Sequence, residues 1–120
     1  MKILFVRTPR FLWPFNSETS AFWPPLGFLS LAGRLRQSHP GWQIEIIDCP
    51  GEKIGWKTLQ ARLATGPPDV LCLGEETVSS HEALRLARHV KQCYPETLIV
   101  AGGVFFSFAP QEALAEGGKP

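Results

Sequence analysis

The sequence has 120 residues, 44% hydrophobic and 19% charged, with 12 basic residues against 11 acidic ones. This length buries one core and is too short for two domains, and the composition is that of a globular protein and not of a disordered tail. The near balance of charge, without any run of Lys or Arg, excludes the electrostatic footprint of a nucleic-acid binder, and the longest apolar stretch, 22–33, is too short for a membrane span and is broken by Pro24 and Pro25.

The N-terminus reads Met1-Lys2-Ile3-Leu4-Phe5-Val6 and then turns basic and proline-rich, which leaves no apolar core long enough for a signal peptide. Ile3 to Val6 reads as a first strand. The segment that follows, Arg7 to Trp23, far exceeds the roughly two to six residues of an ordinary strand-to-helix connection. It carries Phe11, Trp13, Phe15, Phe22 and Trp23, an aromatic density that suits ligand contact, a self-packed lid, or a surface docking on a neighbouring domain. Behind Pro25, Leu26, Leu29, Ala32 and Leu35 recur every third residue and predict a helix.

Ile44 to Ile47 is the second strand, Leu59 and Leu63 mark the second helix, and Val70 to Leu73 is the third strand. A hydroxyl-rich segment, Gly74-Glu75-Glu76-Thr77-Val78-Ser79-Ser80, leads into a third helix marked by Leu84, Ala87 and Val90. Ser79-Ser80-His81-Glu82 fits a capping box with Ser79 as N-cap and Glu82 reaching back. Leu98 to Ala101 is the fourth strand, followed by Gly102-Gly103, and a fourth helix runs from Pro110 to Gly117-Gly118.

The near-continuous hydrophobicity of the strands predicts a parallel sheet covered on both faces. Strict strand-helix alternation predicts right-handed crossovers and a doubly wound α/β sheet ordered 2-1-3-4. A flavodoxin-like, Rossmann-like sheet of this kind would add a fifth strand, and residues 1–120 stop where it should start. One domain, truncated at its C-terminus, is therefore expected, with the fourth strand as an unprotected edge prone to self-association.

In such a sheet ligands bind beyond the carboxyl ends of the strands at the switch point, here between strands one and three. The helix start after strand three favours a phosphate through its amides and dipole, although Ser79 serves equally as a plain cap and Glu75 and Glu76 oppose an anion. Gly102-Gly103 lets the backbone approach a ligand closely, and a tight turn would need glycine too. No G-x-G-x-x-G or G-x-x-x-x-G-K is present, which removes the usual dinucleotide and P-loop signatures. Arg7-Thr8-Pro9-Arg10 stands where a phosphoacceptor domain would need acidic residues. Cys49, Cys72 and Cys93 lie more than twenty residues apart and are odd in number, so neither a C-x-x-C site nor a disulfide framework is expected and the chain reads as cytoplasmic. His39, His81 and His89 show no metal-ligand spacing. His39 and His89 read as solvated, and His81 as a residue of a helix's first turn.

Taken together, Lys2-Ile3-Leu4-Phe5-Val6, Pro24-Pro25-Leu26-Gly27 opening a helix, Asp69 to Gly74, and Ala101-Gly102-Gly103-Val104-Phe105 resemble the N-terminal cobalamin-binding domain of class B radical S-adenosylmethionine enzymes, over nearly the whole chain. The resemblance implies a corrinoid across the strand ends, with its nucleotide tail beside the sheet near the loops after strands three and four. It places Pro9 and Arg10 near the corrin face, Leu26 and Gly27 at the head of the first helix, Glu76, Thr77, Val78, Ser79 and Ser80 near the tail, and Gly102, Gly103, Val104 and Phe105 beside ring and tail. Glu76 departs from the family's usual small hydroxyl residue. The family's C-x-x-x-C-x-x-C motif is missing, so the iron-sulfur cluster and S-adenosylmethionine would belong to a partner catalytic domain, and this chain alone should be inert. Asp48 and Asp69 are followed by Cys-Pro and Val-Leu, which excludes the subtype carrying a cobalt-ligating histidine in D-x-H-x-x-G. The resemblance thus implies cobalamin with cobalt that takes no metal ligand from this chain, and methyl transfer or a related rearrangement as the chemistry. The alternatives are a flavodoxin-like binder of another nucleotide cofactor and a non-binding interaction domain.

Overall fold

The computed structural model describes residues 1–9, 26–74 and 80–102. Strands and helices follow in the order β1 (Lys2–Arg7), α1 (Leu26–Ser38), β2 (Gln43–Asp48), α2 (Cys49–Glu52), α3 (Trp56–Thr65), β3 (Val70–Gly74), α4 (Ser80–Cys93) and β4 (Leu98–Gly102). Every strand pairing is parallel, and the sheet order is β2-β1-β3-β4. The α/β class and the 2-1-3-4 order are those expected from the alternation of apolar runs and helical periodicity. The fourth helix expected from Pro110 lies outside the described residues.

Because side chains alternate along a strand and parallel neighbours stay in register, apolar rows cross the sheet. One row is Ile3, Val70 and Leu98 and the next is Phe5, Cys72 and Val100, both on one face. Leu4, Leu71 and Ile99 belong to the opposite face, followed by Val6, Leu73 and Ala101. On that opposite face Leu59 and Leu63 of α3 and Ala83, Leu84, Leu86 and Val90 of α4 close over Leu4, Val6, Leu71 and Leu73. Arg85 lies 4.4 Å from the ring centroid of Trp56, joining α4 to α3 outside the core. On the first face, Phe28 and Ala32 of α1 pack on Ile3, Phe5 and Ile44, with the Phe5 and Phe28 rings 5.2 Å apart and tilted by 50°.

Two expectations are corrected. The every-third-residue stripe through Leu29 does not face the sheet: Leu29 is 48% exposed and Phe28 is buried. Three residues fall about 60° short of a full helical turn, so the inward stripe follows the four-then-three spacing of Phe28, Ala32 and Leu35. The sheet is also not covered on both faces throughout, since Leu98 is 59% exposed and Val100 48%. The right-handed crossover rule explains this. The step from β1 to β2 places α1 on the first face, whereas the steps from β2 to β3 and from β3 to β4 run the other way and place α3 and α4 on the opposite face. Among the described residues, only α1 packs on the first face, and it lies over β1 and β2.

The short α2 was not anticipated. Asp48 caps it by accepting from the Gly51 amide at 3.2 Å, Pro50 stands in its first turn, and Lys53 at φ 58° ends it in the left-handed region. At the amino end of the sheet the Lys2 amide donates to Asp69 Oδ2 at 2.7 Å and Lys2 Nζ to the Gly66 carbonyl at 2.6 Å. The Thr97 hydroxyl donates to the Pro68 carbonyl at 2.7 Å in a buried hydrogen bond.

Leu71 is fully buried in the middle of the sheet. Leu71→Ala is expected to cost roughly 2–5 kcal/mol, and Leu29→Ala, at an exposed helix position, to stay within about 0.5 kcal/mol. Urea unfolding followed by far-ultraviolet circular dichroism reads both.

Candidate functional site

β1 pairs with β2 on one edge and with β3 on the other. The chain leaves β1 toward α1 on one face and β3 toward α4 on the other, so the connections diverge at the carboxyl ends and leave a crevice there. The end of β1 and the two residues after it are shielded: Arg7, Thr8 and Pro9 are all buried. Arg7 and Asp48 are register partners at the ends of β1 and β2, and the Arg7 guanidinium lies 3.5 Å from Asp48 Oδ1. The same carboxylate caps α2, and the Asp48 amide donates to Glu52 Oε2 at 3.1 Å. Glu52 in turn pairs with Arg62 of α3 at 3.3 Å. A Cβ at Gly51 would collide with the Asp48 carboxylate, so glycine is what lets the chain fold back over its own cap.

The β3–β4 side is built differently. Gly74 and Gly102 are register partners at the carboxyl ends of these strands, and a Cβ at Gly102 would meet nothing within 4 Å. On the same face, one pair nearer the amino end, stand half-buried Cys72 and exposed Val100. Among the described residues, glycines end both strands next to half-buried Cys72 and exposed Val100. Burial pushes the Cys72 thiol up from its ordinary range.

Of the residues expected at the site, Pro9 lies directly beyond β1, Leu26 and Gly27 open α1, Ser80 opens α4 and Gly102 ends β4. These positions all belong to the carboxyl end of the sheet, and Gly27 has open space around it. Arg10, Glu76, Thr77, Val78, Ser79, Gly103, Val104 and Phe105 lie outside the described residues, as does the aromatic segment from Phe11 to Trp23. Sequence reasoning missed the anchoring role of Arg7 and Asp48. The available signal was an Arg and an Asp each closing an apolar run, which parallel pairing sets side by side.

Among the described residues, no three His, Cys, Asp or Glu side chains come together to hold a metal ion. His39 stacks on Trp42, with ring centroids 3.7 Å apart, at the turn between α1 and β2. His89 is half-buried, not solvated, with Cys93 Sγ 3.9 Å away toward the end of α4. Both belong to the end of the sheet away from the crevice. No described helix is long and apolar enough to cross a membrane.

Sheet order and parallel pairing make this a doubly wound domain, a class in which ligands commonly bind beyond the carboxyl ends of the strands. Residues 14–119 match the B12 binding domain, and the chain belongs to that cobalamin-binding family. It is also 26% identical over 93 residues to an uncharacterised methyltransferase of Pyrococcus horikoshii, a match covering 78% of this chain. The matched stretch is 20% of that relative, so the chain spans about one fifth of its length. No solved structure matches the chain. The described residues fit a corrinoid: a broad macrocycle with amide arms needs close approach to backbone, for which Gly102 leaves open space beside the buried Thr8 and Pro9.

The three thiols should separate by reactivity, because the thiolate is the attacking form and burial limits both access and ionisation. Exposed Cys93 should be alkylated first, half-buried Cys72 later, and buried Cys49 last. With its pKa raised by burial, Cys72 should gain reactivity at higher pH than an ordinary thiol. Peptide mass spectrometry after iodoacetamide treatment at a series of pH values reads the order.

Proposed function

We propose that this domain holds cobalamin for methyl transfer, or a related radical rearrangement, performed together with a radical S-adenosylmethionine domain that carries the iron-sulfur cluster. The observation that carries the reading is the bare Gly74–Gly102 pair beside the fixed end of β1, at the switch point of a sheet whose family binds B12. Similarity to a methyltransferase much longer than this chain supports the methyl-transfer context and a catalytic partner domain. Family membership also favours a corrinoid over a flavin.

The cofactor, once bound, supplies the methyl-transfer chemistry, and the protein's work is to bind and orient it. Pro9 and Arg10 face the corrin, and the backbone at Gly102 and Gly103 lets ring and tail come close, with Val104 and Phe105 alongside. Thr77, Val78, Ser79 and Ser80 take the polar tail at the start of α4, where free amides favour a phosphate. Leu26 and Gly27 bound the site from α1, and Glu76 is the residue least suited to an anionic tail. Arg7 and Asp48 act as positioning residues by fixing the ends of β1 and β2.

Purified protein titrated with hydroxocobalamin should change the cobalamin spectrum and co-elute with it on gel filtration. Gly102→Leu, which has room for its side chain in the free protein, should weaken retention by about tenfold or more, about 1.4 kcal/mol per factor of ten. Equal retention by variant and parent would place the site elsewhere, and no retention by either, or a flavin spectrum on purification, would turn the reading to the alternatives. Bound cobalamin should also slow alkylation of Cys72 and leave Cys93 unaffected.

The cobalt(II) form is expected to show no nitrogen splitting from a protein ligand in its electron paramagnetic resonance spectrum. His81, second residue of α4, is the histidine to test. Splitting abolished by His81→Ala would show that this histidine is a ligand after all.

A further inference from the structure

We propose that His89 and Cys93, side by side in the last turns of α4, form a two-ligand chelate for a borderline-soft divalent cation of the zinc type. The histidines of the chain show no metal-ligand spacing among themselves, but His89 and Cys93 are four residues apart on one helix, and a helix sets such a pair on one face. The Cys93 sulfur lies 3.9 Å from each ring nitrogen of His89. Zinc takes thiolate sulfur at about 2.3 Å and imidazole nitrogen at about 2.0–2.1 Å in a tetrahedral arrangement, which sets sulfur and nitrogen about 3.6 Å apart. A small turn of the two side-chain torsions covers the difference, since the second torsion of histidine is a broad one.

Among the described residues, neither His89 nor Cys93 makes another hydrogen bond or ion pair. Equal distances to both nitrogens are not those of a directed thiol hydrogen bond, which would single out one of them. Cys93 is exposed, so its proton can pass to solvent when a metal takes the thiolate. Two nearby cations are turned elsewhere: the Arg85 guanidinium lies 4.4 Å from the centroid of the Trp56 ring, and Lys91 Nζ donates to the Thr97 carbonyl at 2.6 Å. The carboxyl end of a helix is the negative end of its dipole, which favours a cation there. Thiolate with imidazole suits zinc and softer metals, whereas magnesium and calcium take oxygen ligands. Among the described residues no third His, Cys, Asp or Glu joins the pair, so the other tetrahedral positions go to water or a small donor. With half the ligands of a structural zinc site, the chelate binds far more weakly than such a site.

The pair stands at the end of the sheet away from the crevice, so the free chain without cobalamin tests it independently of the cofactor reading. Iodoacetamide alkylation is followed by peptide mass spectrometry with and without zinc. Because the metal withholds the attacking thiolate, zinc should slow alkylation of Cys93 by about tenfold or more and leave Cys49 and Cys72 unchanged. Magnesium in its place should have no effect. In the zinc concentration that just protects the parent, His89→Ala should return Cys93 to near its metal-free rate. An equimolar amount of cadmium should give the parent the ultraviolet absorption of a cadmium thiolate, and Cys93→Ser should abolish it. Unchanged Cys93 reactivity in zinc, equal protection in His89→Ala, equal slowing of Cys72, or no cadmium absorption in the parent would each overturn the proposal.

Discussion

Strand β1 is hydrogen-bonded along both edges and buried on both faces, with Ile3, Leu4, Phe5 and Val6 each no more than 6% exposed. A strand in that position has no side left for solvent, so its residues must be apolar throughout and its neighbours must arrive from both directions. The chain meets the second condition by stepping to β2 on one side and returning over β1 to β3 on the other. That reversal splits the helices between the faces and opens the crevice where the connections part. The division of the helices between the two faces is thus a consequence of where β1 sits.

The crevice has two dissimilar halves. At the β1–β2 end, Arg7, Asp48, Glu52 and Arg62 form a chain of contacts that runs from the sheet through α2 to α3. Its inner pair is largely shielded from water, where charges are screened less than on an open surface. At the β3–β4 end the important property is the lack of side chains at Gly74 and Gly102.

Much of the architecture was legible because long apolar runs and helical periodicity are strong signals. Ile3 to Val6 and Val70 to Leu73 could hardly be anything but buried strands, and Leu59 with Leu63 pointed inward as expected. Local geometry was harder to read. The choice between Phe28 and Leu29 depends on a rotation of 100° about one helix axis, which either hydrophobic residue would satisfy. The apolar character of Leu98 and Val100 does not reveal whether anything covers them, because strand composition records burial demand and not the direction of the crossover that meets it. Pro9, Gly27, Ser80 and Gly102, singled out largely through the family resemblance, all stand at the carboxyl end of the sheet. The Arg7–Asp48 pair joins residues 41 apart in sequence, and only the register of two strands makes it visible.

The clamps at the amino end of the sheet bear on how the chain acquires its shape during synthesis. Lys2 and Asp69 bond across 67 residues, so the second edge of β1 stays empty until β3 has been made. Closing a loop of that length carries an entropic cost that rises with the logarithm of its length and must be met before the contacts repay it. In the interval β1 and β2 can pair with α1 on one face and α3 on the other, with Leu4 and Val6 still lacking the cover that α4 supplies. Such an intermediate displays an open strand edge and an apolar face together, the combination that invites off-pathway association and draws chaperones. Docking of α4 through Leu86 and Val90 is the step that ends this exposure.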